Sequence, residues 1–187
     1  LVPAMVTMAK IRRFKGDIEG AFQMLMECEK RLYPMQRPHW GYLLRAFRAR
    51  LCIEANDNES LERWMAGNRL NLFQDDIRIH EYELIVLARL YIHRNLYGDA
   101  NLLLNRLAGY AEGLQRSHST VEILNLLAIT AHNELENDTA FGYLEKALAI
   151  GEAEGYVRSF VDELAPMAAI LTGYVSGNRK TGHLLPY

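Results

Sequence analysis

The side chains able to do chemistry in this sequence are scattered along it. Six histidines, His39, His80, His93, His118, His132 and His183, occur without an H-x-x-x-H pair or a neighbouring acidic helix motif, so no metal site is expected. Cys28 and Cys52, the only cysteines, each sit in an apolar helical pattern and read as reduced core residues. No Ser or Cys has a nucleophile elbow or a local base, and no G-x-x-x-x-G-K-[ST] loop is present to cradle nucleotide phosphates. The chain therefore reads as a non-enzyme. Arginine is the chemistry that remains. Residues 1–50 hold ten basic and four acidic side chains and residues 51–187 hold eleven and nineteen, so a net charge of −2 conceals a basic end and an acidic remainder. Arg is suited to bidentate contacts with carboxylate or phosphate. Arg158 and Asp162, four apart just after Gly155, can pair on one helical face. That segment reads as a joint and cap between stacked units, with a ligand site at Arg158 as the alternative.

Helices must position these groups. Apolar residues recur at three- and four-residue spacing almost throughout the 187 residues, and no segment sustains strand-like alternation, so the chain is expected to be all-α. Breakers divide it into expected helices at 2–14, 17–32, 38–55, 58–68, 79–95, 97–112, 118–135, 138–154 and 160–175. The connections "KGD" at 15–17, "NDNES" at 56–60, "LYGD" at 96–99 and "ENDT" at 136–139 are short and favour antiparallel hairpins. The opening "LVPAMVTMAKIRRFKG" places its charges after the apolar stretch, unlike a signal peptide, and no run is long enough to span a membrane. A soluble, cytoplasmic chain, cut from a larger protein, is the expectation.

The hairpins repeat a pattern of large and small residues. One reads Leu84, Leu87, Ala88, Tyr91, Ala100, Leu104 and Leu107; the next reads Leu124, Leu127, Ala128, Ala131, Ala140, Leu144 and Ala147. The first gives Met5, Met8, Ala9, Arg12, Ala21, Leu25 and Cys28. These are the fourth, seventh, eighth, eleventh, twentieth, twenty-fourth and twenty-seventh positions of a tetratricopeptide unit, in which small residues let two helices cross closely. A second hairpin fits less well: Ala49, Cys52, Leu61 and Met65 are in place, but Arg45 and Arg48 occupy the first two positions. A shift of one residue recovers Leu44 and Phe47 and loses Ala49, so its register is open. The expectation is a right-handed superhelix forming a single domain over 1–187, with repeats at about 1–36, 37–78, 79–116 and 117–155 and a closing unit at 156–187 whose first pattern positions are Leu164, Met167, Ala168 and Leu171. Ala88, Ala100, Ala128, Ala140 and Ala147 are expected to be buried at helix crossings.

A helix advances about 100° per residue, so once these positions face the core, the second, fifth, ninth and twelfth positions of each first helix look toward a concave wall. They include Lys10, Arg13, Arg50, Tyr82, Ile85, Arg89, Glu122, Asn125 and His132. Such a wall would suit an anionic or polyhydroxylated effector or an acidic peptide. The bland alternative is a solvated face.

The segment "EILNLLAITAHNELENDTAFGYLEKALAIGEAEGYVRSFVDELAPMAAIL" resembles the last repeats of the MalT-like, large ATP-binding regulators of the LuxR type, on Glu154, Gly155, Tyr156, Val157, Arg158, Asp162 and Glu163. Upstream, "EYELIVLARLYIHRNLYGDANLLLNRL" and "HWGYLLRAFRARLCIEANDNESLERWM" are similar to the preceding repeats, so the resemblance covers essentially the whole chain and is strongest over 79–171. Leu164 departs from it, since many relatives carry a Gly after the acidic pair. The resemblance implies a sensor region that binds a small-molecule inducer or a regulatory protein, with possible self-association, and thereby controls assembly of a transcription regulator. It also implies an ATP-binding domain before this region and a helix-turn-helix domain after it, so ATP and DNA would be met outside these residues and no cofactor within them. The competing reading is a protein-interaction scaffold that binds a peptide or a partner subunit.

Overall fold

The computed structural model describes residues 2–32, 38–68, 73 and 76–181. The expected repeat boundary at 36 and 37, the end of the closing unit and His183 lie outside them. Among the described residues the chain forms ten helices and no strand: α1 (Val2–Phe14), α2 (Ile18–Leu32), α3 (Pro38–Ala55), α4 (Asn58–Asn68), α5 (Ile77–His93), α6 (Tyr97–Gly113), α7 (Ser117–Asn133), α8 (Asn137–Glu154), α9 (Val157–Val161) and α10 (Leu164–Thr181). They fall into two compact units, Leu1–Asn95 and Leu96–Tyr187.

One device ends most of these helices. A single residue in the left-handed region stands in the described connections: Gly16, Asn56, Asn95, Gln115, Leu135, Gly155 and Leu164. In five of them the next residue donates its backbone N–H five residues back into the last turn, as Asp17 does to Arg12, Asp57 to Cys52, Arg116 to Ala111, Glu136 to Ala131 and Tyr156 to Gly151. This closes the orphan carbonyls of the helix end. Gly and Asn adopt such a backbone at little cost, whereas a larger side chain crowds its own carbonyl. Leu135, at φ +66° and 85% exposed, has no packing to offset that strain. Leu135→Gly should therefore stabilise the protein by about 1 kcal/mol, raising the melting temperature by roughly 2–4 °C, with the same direction at Leu164. An unchanged or lower melting temperature by circular dichroism would contradict this account.

In the first unit, α1 packs on α2 and α3, and α3 packs also on α4 and α5. Val2, Met5, Ala9, Ala21, Leu25, Cys28, Leu32, Leu44, Phe47 and Leu51 form a shared core. Cys28 and Cys52 are buried free thiols, and burial pushes both pKa values up. Met8 and Arg12, expected in the core of the first hairpin, are exposed instead, because α1 meets its neighbours along the row Val2, Met5, Ala9 and Arg13. The open register of the second hairpin resolves as well. Leu44 and Phe47 face the first hairpin, while Ala49, Cys52 and Leu61 are also buried. Since α3 is packed on several sides, it carries two apolar rows, and Arg45 and Arg48 keep the pattern positions that Leu84 and Leu87 hold in α5.

In the second unit α7 packs on α6, α8, α9 and α10, and residues 120–131 are buried without interruption. Ala100, Ala128, Ala140 and Ala147 lose all their surface there, as Ala88 does in the first unit. The expected single helix at 160–175 is instead two, broken after Asp162. Gly155, at φ +72°, ends α8, and Phe160 of the short α9 lies so close to Gly151 that a Cβ there would stand 2.8 Å from its ring. Arg158 donates to Asp162 at 2.9 Å, the pair that the spacing suggested. Leu164 then turns the chain through φ +54° into α10. The buried row of α10 is Met167, Ile170 and Tyr174, not the expected Leu164, Met167, Ala168 and Leu171, because Leu164 serves as the joint itself. The Tyr174 hydroxyl donates to Glu145 at 2.7 Å and its ring meets Phe141 edge-on.

Candidate functional site

The residues expected to face a concave wall fall in both units. In the first, Lys10 and Tyr82 are half-buried, and Arg13, Arg50, Ile85 and Arg89 are buried. Lys10 holds its ammonium 5.7 Å from the centroid of the Phe47 ring. Arg13 forms a two-oxygen clamp on Glu54 of α3, with Nε at 2.6 and 2.9 Å. In the second unit Glu122 and Asn125 are buried and His132 is half-buried. Asn125 Nδ2 donates to the carbonyl of Ser159 at 3.1 Å, tying α7 to α9. His132 Nδ1 lies 3.0 Å from Asn137 Oδ1. Six of the nine thus lie inside helix packing: Arg13 on α1 against α3, and the others on α3, α5 and α7, where they are buried. Arg50 and Arg89, both buried, would lose fold stability on replacement along with any binding role.

The first unit does contain an open concavity. A cavity of about 650 Å³ is lined by Phe22 of α2, Tyr42, Arg45, Arg48, Ala49 and Cys52 of α3, Ser60, Arg63, Trp64 and Gly67 of α4, and His80 of α5. Its size is ordinary for a small-molecule site. Among the described residues three guanidinium groups and an imidazole line it, and no carboxylate does. The Arg45 guanidinium lies 5.0 Å from the Tyr42 ring centroid, a cation–π contact, and Tyr42 meets the His80 ring edge-on at 5.0 Å. Arg48 donates to Glu29 at 2.8 Å and Arg63 to the Ser60 hydroxyl at 3.2 Å. Nε of Arg45 and Nε of Arg48 are shielded from solvent and have no hydrogen-bond partner among the described residues. Among those residues no three His, Cys, Asp or Glu side chains group to hold a metal ion, and no helix is long and apolar enough to cross a membrane.

The repeated hairpins, the small residues at their crossings and the Gly155 joint agree with one family profile, the MalT-like TPR region, which matches residues 1–176. The chain belongs to this family. No curated protein and no solved structure matches it.

In this MalT-like TPR region the cavity lies where the repeat pattern breaks. Positions filled by Leu84 and Leu87 in α5 are taken by Arg45 and Arg48 in α3, so long polar side chains border a space that leucines would close. That misfit was the signal in the sequence. Tyr42, Ser60, Arg63, Trp64 and His80 carried no such mark, because their convergence depends on how α3, α4 and α5 pack.

His80 is steadied by Glu83, whose Oε2 lies 2.5 Å from Nδ1. The Glu83 side chain is 1% exposed, and burial pushes its pKa above the ordinary glutamate value of 4.5, with His80 and Arg45 pulling it back. A raised folded-state pKa means that the fold prefers the protonated acid. The stability Glu83 contributes is therefore full below pH 4.5 and is lost as pH rises through its folded value. Urea denaturation of the native chain and of Glu83→Gln across acid and neutral pH should show the native chain losing ground to the variant as pH rises. Parallel curves would sink this reading.

Proposed function

We propose that this MalT-like TPR region is the effector-sensing and interaction domain of a LuxR-type transcription regulator, acting in the cytoplasm. In this reading it performs no catalysis and holds no cofactor of its own. ATP and DNA would be handled by domains flanking it in the full-length regulator, and effector binding here would control assembly and activation of the whole. Family membership over residues 1–176 carries the proposal. Its chemistry is supported by the cavity of the first unit, which offers a small molecule both aromatic surface and donors.

A ligand that binds only the folded chain raises its melting temperature by mass action, and a hundredfold excess over Kd adds about 2.7 kcal/mol. A thermal-shift screen of small metabolites should yield at least one stabilising compound. If no metabolite shifts the chain and only a protein partner does, sensing of a small molecule is ruled out. The protein-interaction scaffold would then stand, a reading favoured by Met8 and Ile11, both exposed on one side of α1.

A further inference from the structure

We infer that the cavity bounded by α2, α3, α4 and α5 binds a small organic anion, one bearing a carboxylate or phosphate on a flat apolar body. The inference deepens the sensing proposal and rests on it in taking this ligand to be the inducer; the pocket itself stands on geometry.

Charge argues first. Among the described residues the wall presents Arg45, Arg48, Arg63 and His80, and no acid lines the space. Glu29 and Glu83 hold Arg48 and His80 without belonging to the lining, so they orient those groups and leave further donors available. Arg45 is the least compensated: among the described residues no carboxylate lies within ion-pair distance, and its neighbour is the Tyr42 face. A guanidinium stacked on a ring is preorganised for an anion that its planar fork matches, and Glu83 acts on Arg45 only through space, with no ion pair between them. Nε of Arg45 is shielded from solvent and has no acceptor among the described residues, so its outer nitrogens are the donors that a ligand would meet. Arg48 is paired with Glu29 at 2.8 Å and Arg63 lies 3.8 Å from Glu59, whereas a neutral polyol would bring no charge to the Arg45 guanidinium, so an anion fits better. The basic first fifty residues add a field that attracts it.

Shape argues second. Phe22, Tyr42 and Trp64 give the same cavity an aromatic wall. About 650 Å³ is far more than inorganic phosphate needs, and the aromatic rings would bury a flat apolar body beside the anionic group.

The test uses three probes: phenyl phosphate, benzoate and the uncharged phenyl glucoside. Binding is read by calorimetry and by fluorescence in a Trp40→Phe background, where Trp64 alone reports. Phenyl phosphate or benzoate should saturate in the millimolar range and change Trp64 emission. The stronger of the two tells phosphate from carboxylate. Arg45→Gln should weaken that binding about tenfold, and so should Arg63→Gln, whose exposed site leaves the fold intact. Phenyl glucoside binding as tightly as the anions would overturn the inference, as would no saturable binding by either anion, or anion binding indifferent to both variants. If a metabolite stabilises the chain and Arg45→Gln leaves that shift unchanged, sensing survives and this pocket does not. If phenyl phosphate binds through Arg45 while no metabolite in the screen stabilises the chain, the pocket survives and the sensing reading does not.

Discussion

Replacing Glu54 with Ala should destabilise the protein by roughly 2–4 kcal/mol. The Arg13 side chain is 4% exposed and its guanidinium is clamped by the Glu54 carboxylate across 41 residues of sequence, fastening the first hairpin to α3. Removing the acid leaves a charge buried without its principal counter-ion, and the desolvation of that charge is then no longer offset by Coulomb attraction. The loss falls short of that expected for a fully buried pair because Glu54 keeps 22% of its side-chain surface in water. Urea denaturation measures it. The double replacement Arg13→Met with Glu54→Leu should recover much of the stability, since an apolar pair of similar volume needs no desolvation. A single variant as stable as the native chain, or a double variant no better than the single, would show that the clamp is not what holds α1 to α3.

Ala128→Leu should cost about 3 kcal/mol, the upper end of the overpacking range. Ala128 has no exposed surface and lies on the one helix of the second unit that is enclosed by four others. A side chain three carbons longer has no direction in which to relax without displacing α8 or α10, and closely packed interiors transmit such displacements. Ala169→Leu, on the exposed side of α10, is the control and should change stability little. A neutral Ala128→Leu would mean that the small residues of the repeat are not crossing points.

What was legible in the sequence follows from how locally it is encoded. Helices end where a Gly or Asn can turn the chain, so Gly16, Asn56, Asn95 and Gly155 mark four ends directly. The small residues of three hairpins, twelve apart at Ala9 and Ala21, Ala88 and Ala100, and Ala128 and Ala140, are all fully buried as the repeat pattern required. Leu135 and Leu164 turn the chain without the residue type that signals a turn, and the break between α9 and α10 was missed for that reason. The expected groove failed to predict exposure because it was derived from one hairpin at a time. Whether Arg13 or Asn125 meets solvent is decided by the next helix, to Glu54 in one case and to the Ser159 carbonyl in the other. Arg45 and Arg48 were visible only as a misfit, and a misfit does not say what fills the space beside it.

The enclosure of α7 also has a consequence in time. An amide hydrogen exchanges with solvent only when its helix is uncovered, and residues 120–131 have no face in water from which exchange could begin. Their protons should be the last of residues 96–187 to leave, at the rate at which the surrounding helices part. Exchange at the exposed Gln115 and Leu135 turns should run far ahead of them. The second unit thus has a clock at its centre and loose ends on both sides of it.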